Sequence, residues 1–329
     1  MFYTVGMTGM ETLDLTEALA CRYKPLELIG SGGIGVVYKV YDISLNNEPV
    51  ALKLLNRNLL PDPSYAARFR REVSVARRLA HPNIVKIFDF SELRAGGYFF
   101  TMELVEGSDL RAVITREGSK LPLRRALDII FQAALALDYA HRIGIVHRDI
   151  KAENILIAAD SESIKLSDFS SAKEIAMDLG ITPEGGVLGT PQYMAPELLR
   201  GAKAQAAADI YSLGILFFEV LCGVAPFNGE GLAAIFAQHM SEPIPRLATY
   251  RNEAPEWCQE MVETCCEKDP SDRYTSVSEF LSELLDFAIS DGFELTATCL
   301  PPSVHHLLAT TKRRQRGLFS EFLPKSFRR

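Results

Sequence analysis

Cysteine is scarce in this sequence: six occur in 329 residues, with no CxxC pair and no Cys/His spacing suited to a metal. A disulfide framework is thereby disfavoured, and Cys21, Cys222, Cys258, Cys265, Cys266 and Cys299 read as reduced, mostly buried thiols of a cytoplasmic protein. The opening MFYTVGMTGMETLDL has neither a basic leader nor a long apolar block, which argues against a secretory signal. A clean membrane-length run is missing too. The most apolar stretch, Ile210 to Phe227, is interrupted by Glu219 and bounded by Asp209 and Pro226, so it reads as a buried helix. No internal repeat is visible. Basic charge is thin over the body: seven Lys and Arg residues against Glu321 give residues 312–329 a net +6, and residues 1–311 carry −13. A body of that sign lacks the basic face that nonspecific nucleic-acid binding needs.

What is present is ordinary globular material, 47% hydrophobic and 23% charged, enough for one large domain or two medium ones. Residues 25–41 and 48–55 read as strands, with β-formers such as Val36, Val37, Tyr38, Val40 and Val50 on either side of the turn-rich SLNNEP. A helix is expected over 65–79, broken by His81-Pro82-Asn83, and two further strands over 84–90 and 98–104. Beyond Gly107 the apolar period changes to 3.6, over 126–141, 209–221, 256–267 and 276–289. Residues 157–197 show no strong period, and a loop that long in a compact domain is usually functional. From about residue 290 the composition suggests a poorly ordered tail.

Five motifs bear on chemistry. Gly30-Ser31-Gly32-Gly33-Ile34-Gly35 fits G-x-G-x-x-G, but the strand-like VVYKVY follows it where a dinucleotide fingerprint needs a helix. Glycines between two strands make a hairpin tip whose backbone can lie close over phosphates; a plain Gly-rich turn is the alternative. Val50-Ala51-Leu52-Lys53 puts an ammonium in an apolar strand, where it needs an anionic partner such as Glu72 or a phosphate unless the strand is an exposed edge. His147-Arg148-Asp149-Ile150-Lys151-Ala152-Glu153-Asn154 follows a helix and an apolar step, and Asp168-Phe169-Ser170 comes soon after. Two carboxylates and an amide on neighbouring turns could hold Mg²⁺, a hard cation that takes oxygen ligands. Ala195-Pro196-Glu197 completes the set.

In this order and spacing the motifs resemble the protein kinases from about Tyr23 to Ile289, and in flavour the eukaryotic-like serine/threonine kinases of bacteria. The resemblance implies an α+β, two-lobed fold: an N-terminal extension 1–22, a lobe of antiparallel sheet plus one helix over 23–102, a hinge 103–107, a mainly helical lobe 108–289, and a basic tail 290–329. It further implies serine/threonine phosphorylation of proteins by ATP, including autophosphorylation, with Mg²⁺ or in its place Mn²⁺. By similarity Gly30, Ser31, Gly32 and Gly35 cover ATP, Val37 and Ala51 sandwich adenine, and Met102 lies behind it. Glu103 and Val105 offer hinge backbone, and Asp109 reaches the ribose. Lys53, held by Glu72, binds phosphates; Asp149 orients the attacking hydroxyl, Lys151 steadies the γ-phosphate, and Asn154 and Asp168 ligate the metal. Asp209 is expected to brace the catalytic loop and Arg273 to pair with Glu197, while His141 and His81 read as core.

Two departures stand out. Ser170 replaces the glycine expected after Asp168-Phe169, which raises the alternative of a nucleotide-binding pseudokinase scaffold. Gly186 stands at the usual activation-loop acceptor position, although Arg148 resembles the arginine that pairs with a loop phosphate; Thr182, Ser170, Ser171 or a partner remain as switches. The tail, with Phe319, Phe322 and Phe327 among its cations, is either a solvated extension or a contact for an acidic surface, membrane or RNA.

Overall fold

The computed structural model describes residues 22–32, 35–56, 63–93, 97–118, 120–159, 161–169, 191–293 and 295, without the side chains of 63–66, 68 and 72. The chain divides into two compact units, one of Met1–Asp109, His147–Asp149 and Asn154–Pro191, the other of Leu110–Val146, Ile150–Glu153 and Gln192–Arg329.

The first unit is built on an antiparallel sheet of order β1-β2-β3-β5-β4, with β1 Tyr23–Gly32, β2 Gly35–Asp42, β3 Glu48–Leu55, β4 Ile87–Glu92 and β5 Tyr98–Met102. Side chains alternate between the faces of a strand, so each residue's partner row fixes its side. Tyr38, Val40, Val50, Leu52 and Phe99 form a core on one face with Tyr23 and Leu93. The opposite face carries two rows, Val37–Lys53–Phe100 and Lys39–Ala51–Met102. Helix α1, Pro63–Ala76, sets its fully buried Phe69 against Phe90 and Phe100, with ring centroids at 5.6 and 6.5 Å. The β2–β3 turn uses Asn46 and Asn47 at φ 56° and 60°, a region asparagine tolerates better than most residues.

A second, three-stranded sheet holds β6 Gly107–Asp109, β7 Ile155–Ala158 and β8 Ile164–Leu166. It was not legible as strands, because each is only three or four residues long. Its close approach requires glycine at 107, where a Cβ would lie 1.9 Å from the Ile157 carbonyl oxygen. The strand expected from residue 84 begins at Ile87 instead. Ile84 and Val85 are committed to β8: Val85 N donates to Leu166 O at 3.0 Å, and Leu166 N to Asn83 O at 2.8 Å. The HisProAsn break is thus an anchor, with Asn83 Nδ2 also donating to Ile164 O at 2.9 Å.

The second unit is helical: α2 Leu110–Arg116, α3 Leu123–Arg142, α4 Pro196–Leu199, α5 Ala206–Cys222, α6 Leu232–Ser241, α7 Leu247–Tyr250, α8 Glu256–Cys265 and α9 Val277–Ser290. Helices α2, α4, α6 and α7 lie outside the stretches in which the sequence shows a 3.6 period. α5 is buried along nearly its whole length against α3 and α8 and stops at Gly223, whose φ of 77° suits a left-handed cap. Among the described residues no helix is long and apolar enough to cross a membrane. α9 starts at Ser276, whose hydroxyl accepts from Glu279 N at 3.2 Å while the Glu279 carboxylate accepts from Thr275 N at 2.8 Å.

Two predictions follow from the helical core. A Cβ on Gly214 would lie 2.4 Å from Cys265 Cβ and 2.7 Å from Cys266 Sγ. Gly214→Ala should therefore cost about 1–3 kcal/mol by overpacking, read as a lowered midpoint of thermal unfolding. Cys222, Cys258, Cys265 and Cys266 are buried free thiols, and burial pushes Cys222 and Cys266 up to about 12. All four should resist a thiol reagent at pH 8 until the protein is denatured; rapid labelling of any in the native state would contradict this burial.

Candidate active site

β3 lies between β2 and β5, so Lys53 is on a central strand and the exposed-edge alternative falls. Its side chain is 7% exposed, and Nζ stands 2.6 Å from Asp168 Oδ1, just beyond β8. A buried ammonium without such a partner would be costly, so the two residues depend on each other. Glu72, the other partner expected, is on α1, but its side chain lies outside the described residues.

Asp168 and Arg148 both hold left-handed backbone, with φ of 63° and 69°. For a non-glycine residue this costs about 1–2 kcal/mol, so the surroundings must over-determine it. They do so through His147. Its Nε2 is 2.8 Å from Ser167 O, while Asp149 N reaches its Nδ1 at 3.2 Å. A carbonyl only accepts and an amide only donates, so the ring is the neutral tautomer with hydrogen on Nε2. The Phe169 ring meets the imidazole edge-on at 4.3 Å. Asn154 closes the knot: Nδ2 donates to Asp149 O at 2.7 Å, and its own carbonyl accepts from Ser167 N and Oγ at 2.8 and 3.1 Å. Asp149, Asn154 and Asp168 are thereby brought together through their backbones. The sequence marked His147 only as part of a motif; its central place shows in the hydrogen bonds.

Val37, Ala51, Lys53 and Met102 share the sheet face described above. Glu103 N donates to Lys86 O at 2.9 Å, and its carboxylate pairs with Lys165 at 2.9 Å. Val105 and Asp109 follow in half-buried positions. The glycines divide into two kinds. Gly35 has no room for a side chain, since a Cβ would sit 2.0 Å from the Leu54 carbonyl oxygen. Gly30 would meet only Val37 at an ordinary 3.9 Å, and Gly32 nothing within 4 Å. Ser31 is exposed between them. Ile29, not singled out from the sequence, is an exposed apolar residue at the β-bulge beside Gly30.

In the second unit Lys151 is half-buried on the turn before Glu153. Arg111 Nε reaches Glu153 Oε1 at 3.2 Å, and its guanidinium also binds Glu219 and, at 2.7 Å, the Tyr193 hydroxyl. That hydroxyl donates to Glu219 and accepts from Ala152 N at 3.3 Å. Burial, opposed by Tyr193 and Arg111, holds the Glu219 carboxyl above the usual carboxylate range. No sequence signal had pointed to this cluster. Arg273 forks onto Glu197 with two bonds of 2.8 Å, as expected. His141, read as core, pairs through Nε2 with Asp209 at 2.8 Å. Ser170, Ser171, Thr182 and Gly186 lie outside the described residues.

The Arg273 side chain is fully buried and that of Glu197 is half-buried. Arg273→Leu strands the carboxylate and should destabilise by about 3–5 kcal/mol in denaturant unfolding, whereas replacing both residues with apolar ones should recover much of that loss.

The description "Protein kinase domain" matches residues 23–285. PknB of Mycobacterium tuberculosis, a serine/threonine-protein kinase, is 38% identical over 273 residues, which is 81% of this chain and 43% of that protein. PknA of the same organism is 39% identical over 267 residues, 80% of this chain and 60% of its own length. The probable serine/threonine-protein kinase PknB of Lactococcus lactis is 35% identical over 83% of this chain and 43% of its own. The chain thus spans less than half the length of the PknB relatives. Among solved structures, the PknI kinase domain of Mycobacterium tuberculosis superposes with a TM-score of 0.63 at 28% identity, covering 80% of this chain and 95% of that one. With four-fifths of its length matched to that domain, the chain belongs to the protein kinase family, among the serine/threonine kinases of bacteria.

Proposed function

We propose that the chain transfers the γ-phosphoryl group of ATP to serine and threonine hydroxyls of proteins, itself included. The observation that carries this reading is the buried Lys53–Asp168 pair held beside Asp149 and Asn154. Phosphoryl transfer is catalysed mainly by positioning and by neutralising charge, so it needs cations and carboxylates in one fixed array.

Asn154 and Asp168 offer hard oxygen donors, too few to cage an ion alone and therefore suited to Mg²⁺ or Mn²⁺ shared with substrate phosphates. When bound, the metal supplies charge neutralisation at those phosphates. Lys53 holds phosphate oxygens, with Asp168 and Glu72 directing its ammonium. Asp149 accepts or orients the hydroxyl proton, and its backbone is pinned at both the amide and the carbonyl. Lys151 steadies the transferred group. Val37 and Ala51 pack on the base, Met102 backs it, Glu103 and Val105 offer backbone to it, and Asp109 reaches the ribose. Gly30, Ser31, Gly32 and Gly35 lie over the phosphates. The open space at Gly30 and Gly32 supports that role, because nothing among the described residues demands glycine there.

A nucleotide-binding scaffold without turnover finds no support: the relatives bear the names of serine/threonine kinases, and each residue given a chemical role is of the type the reaction needs. The −13 body fits protein substrates and no nucleic acid. The reduced thiols and the need for ATP suit the cytoplasm. The basic tail offers contact to an acidic surface or membrane.

Asp149→Asn should lower phosphate transfer to a generic basic protein by about 10²–10⁴-fold. It should keep the thermal stabilisation that Mg·ATP gives, worth about 2.7 kcal/mol at a hundred times Kd. Undiminished turnover in this variant would overturn the assignment. The glycines separate in the same assays: Gly35→Ala should lower the unfolding midpoint without nucleotide, while Gly32→Ala should leave it unchanged and raise KM for ATP.

A further inference from the structure

Beside the Phe69–Phe90 contact, the rim between α1 and β4 has no part in the site described above. Between the two elements lies a groove of about 270 Å³, floored by the half-buried Phe90 over the fully buried Val73 and walled by Arg70 and Arg77, with Glu92 at one end. Its cations are weakly engaged: Arg70 stands 3.9 Å from Glu92, Arg77 3.9 Å from Asp89, and their side chains are 61% and 49% exposed. Arg71 and Arg78 add two more exposed cations to the helix and its end. An apolar floor under a basic rim calls for an acidic segment with aliphatic side chains.

The chain carries such a segment immediately before Arg22 in sequence. Residues 1–21 contain Glu11, Asp14 and Glu17 and no Lys or Arg, and Leu13, Leu15 and Leu19 lie among the acids. The described chain begins at Arg22, whose Nη1 is 3.2 Å from Asp89 Oδ2, and the other oxygen of that carboxylate is the one facing Arg77. The segment therefore leaves the first unit one carboxylate away from the groove. At about 3.3–3.6 Å per extended residue, Leu19 reaches roughly 10 Å and Glu17 roughly 17 Å from Arg22.

We propose that residues 11–19 dock in the groove between α1 and β4 of their own chain, with a leucine on the half-buried Phe90 and the carboxylates against Arg70 and Arg77. Since α1 also carries Glu72, the segment would hold the helix that directs Lys53 and so regulate the site from outside it. The regulatory effect rests on the phosphotransfer reading, whereas the docking itself does not, because it is measured without turnover.

Hydrogen–deuterium exchange of the full chain tests it. Reversing the acids, Glu11→Lys with Asp14→Lys and Glu17→Lys, should speed amide exchange over 69–78 and 89–92 by roughly fivefold, on the scale that three exposed ion pairs sustain. Arg70→Glu with Arg77→Glu should do the same, and combining both sets should restore slow exchange. Unchanged exchange in the acid-reversed chain would overturn the proposal. So would protection that disappears on tenfold dilution, which would assign the groove to a second copy.

Discussion

The first unit turns on one charge in a place that does not favour it. Lys53 sits on the central strand of a sheet, nearly out of water, and its ammonium is tolerable only because the Asp168 carboxylate meets it at 2.6 Å. That pairing dictates much else. Asp168 must leave β8 with left-handed backbone to face the lysine, and left-handed backbone at a β-carbon-bearing residue has to be enforced. The enforcing groups are a neutral His147, the Asn154 carbonyl that takes both donors of Ser167, and the Phe169 ring on the imidazole. Asp149 enters the same knot through its amide and carbonyl, so the carboxylate proposed for chemistry comes from a backbone with no slack.

A knot of this kind is built largely from main-chain groups, which explains what was legible in advance. The residues proposed to bear charge or to hold a metal were identifiable because their order and spacing are specific, and so were the glycines between two strands. The means of holding them was not. Nothing in His147 as a letter says which tautomer it adopts, and Asn83, read as part of a helix break, proves to stitch β8 to the segment after α1. Period-2 and period-3.6 patterns found the long elements. They failed on β6, β7 and β8, because three residues are too few to show a period, and on α2 for nearly the same reason. Residue 84 was assigned to a strand on its apolar character, whereas its backbone serves a parallel bridge to Leu166.

Glycine shows how one letter covers different physics. At 35, 107 and 214 the protein excludes a side chain by its own atoms, a carbonyl oxygen in two cases and a cysteine in the third. At 223 the requirement is a backbone angle that caps α5. At 30 and 32 neither reason applies. Among the described residues nothing crowds those two positions, which is consistent with the nucleotide-facing role proposed for them.

The second unit places its buried charges differently. Arg273–Glu197, His141–Asp209 and the Arg111–Glu219–Tyr193 cluster join residues far apart in sequence, and each has at least one member with almost no contact with water. Such pairs contribute little net stability, since desolvation offsets most of the attraction, but breaking one is expensive. Their effect is therefore to make alternatives costly. Arg111 and Tyr193 illustrate this: the two groups that satisfy the buried Glu219 also bind Glu153 and the Ala152 amide, so the turn carrying Lys151 is tied to that buried carboxylate. In both units the groups proposed for chemistry are held by the penalty for exposing a charge, in one case a lysine and in the other a glutamate.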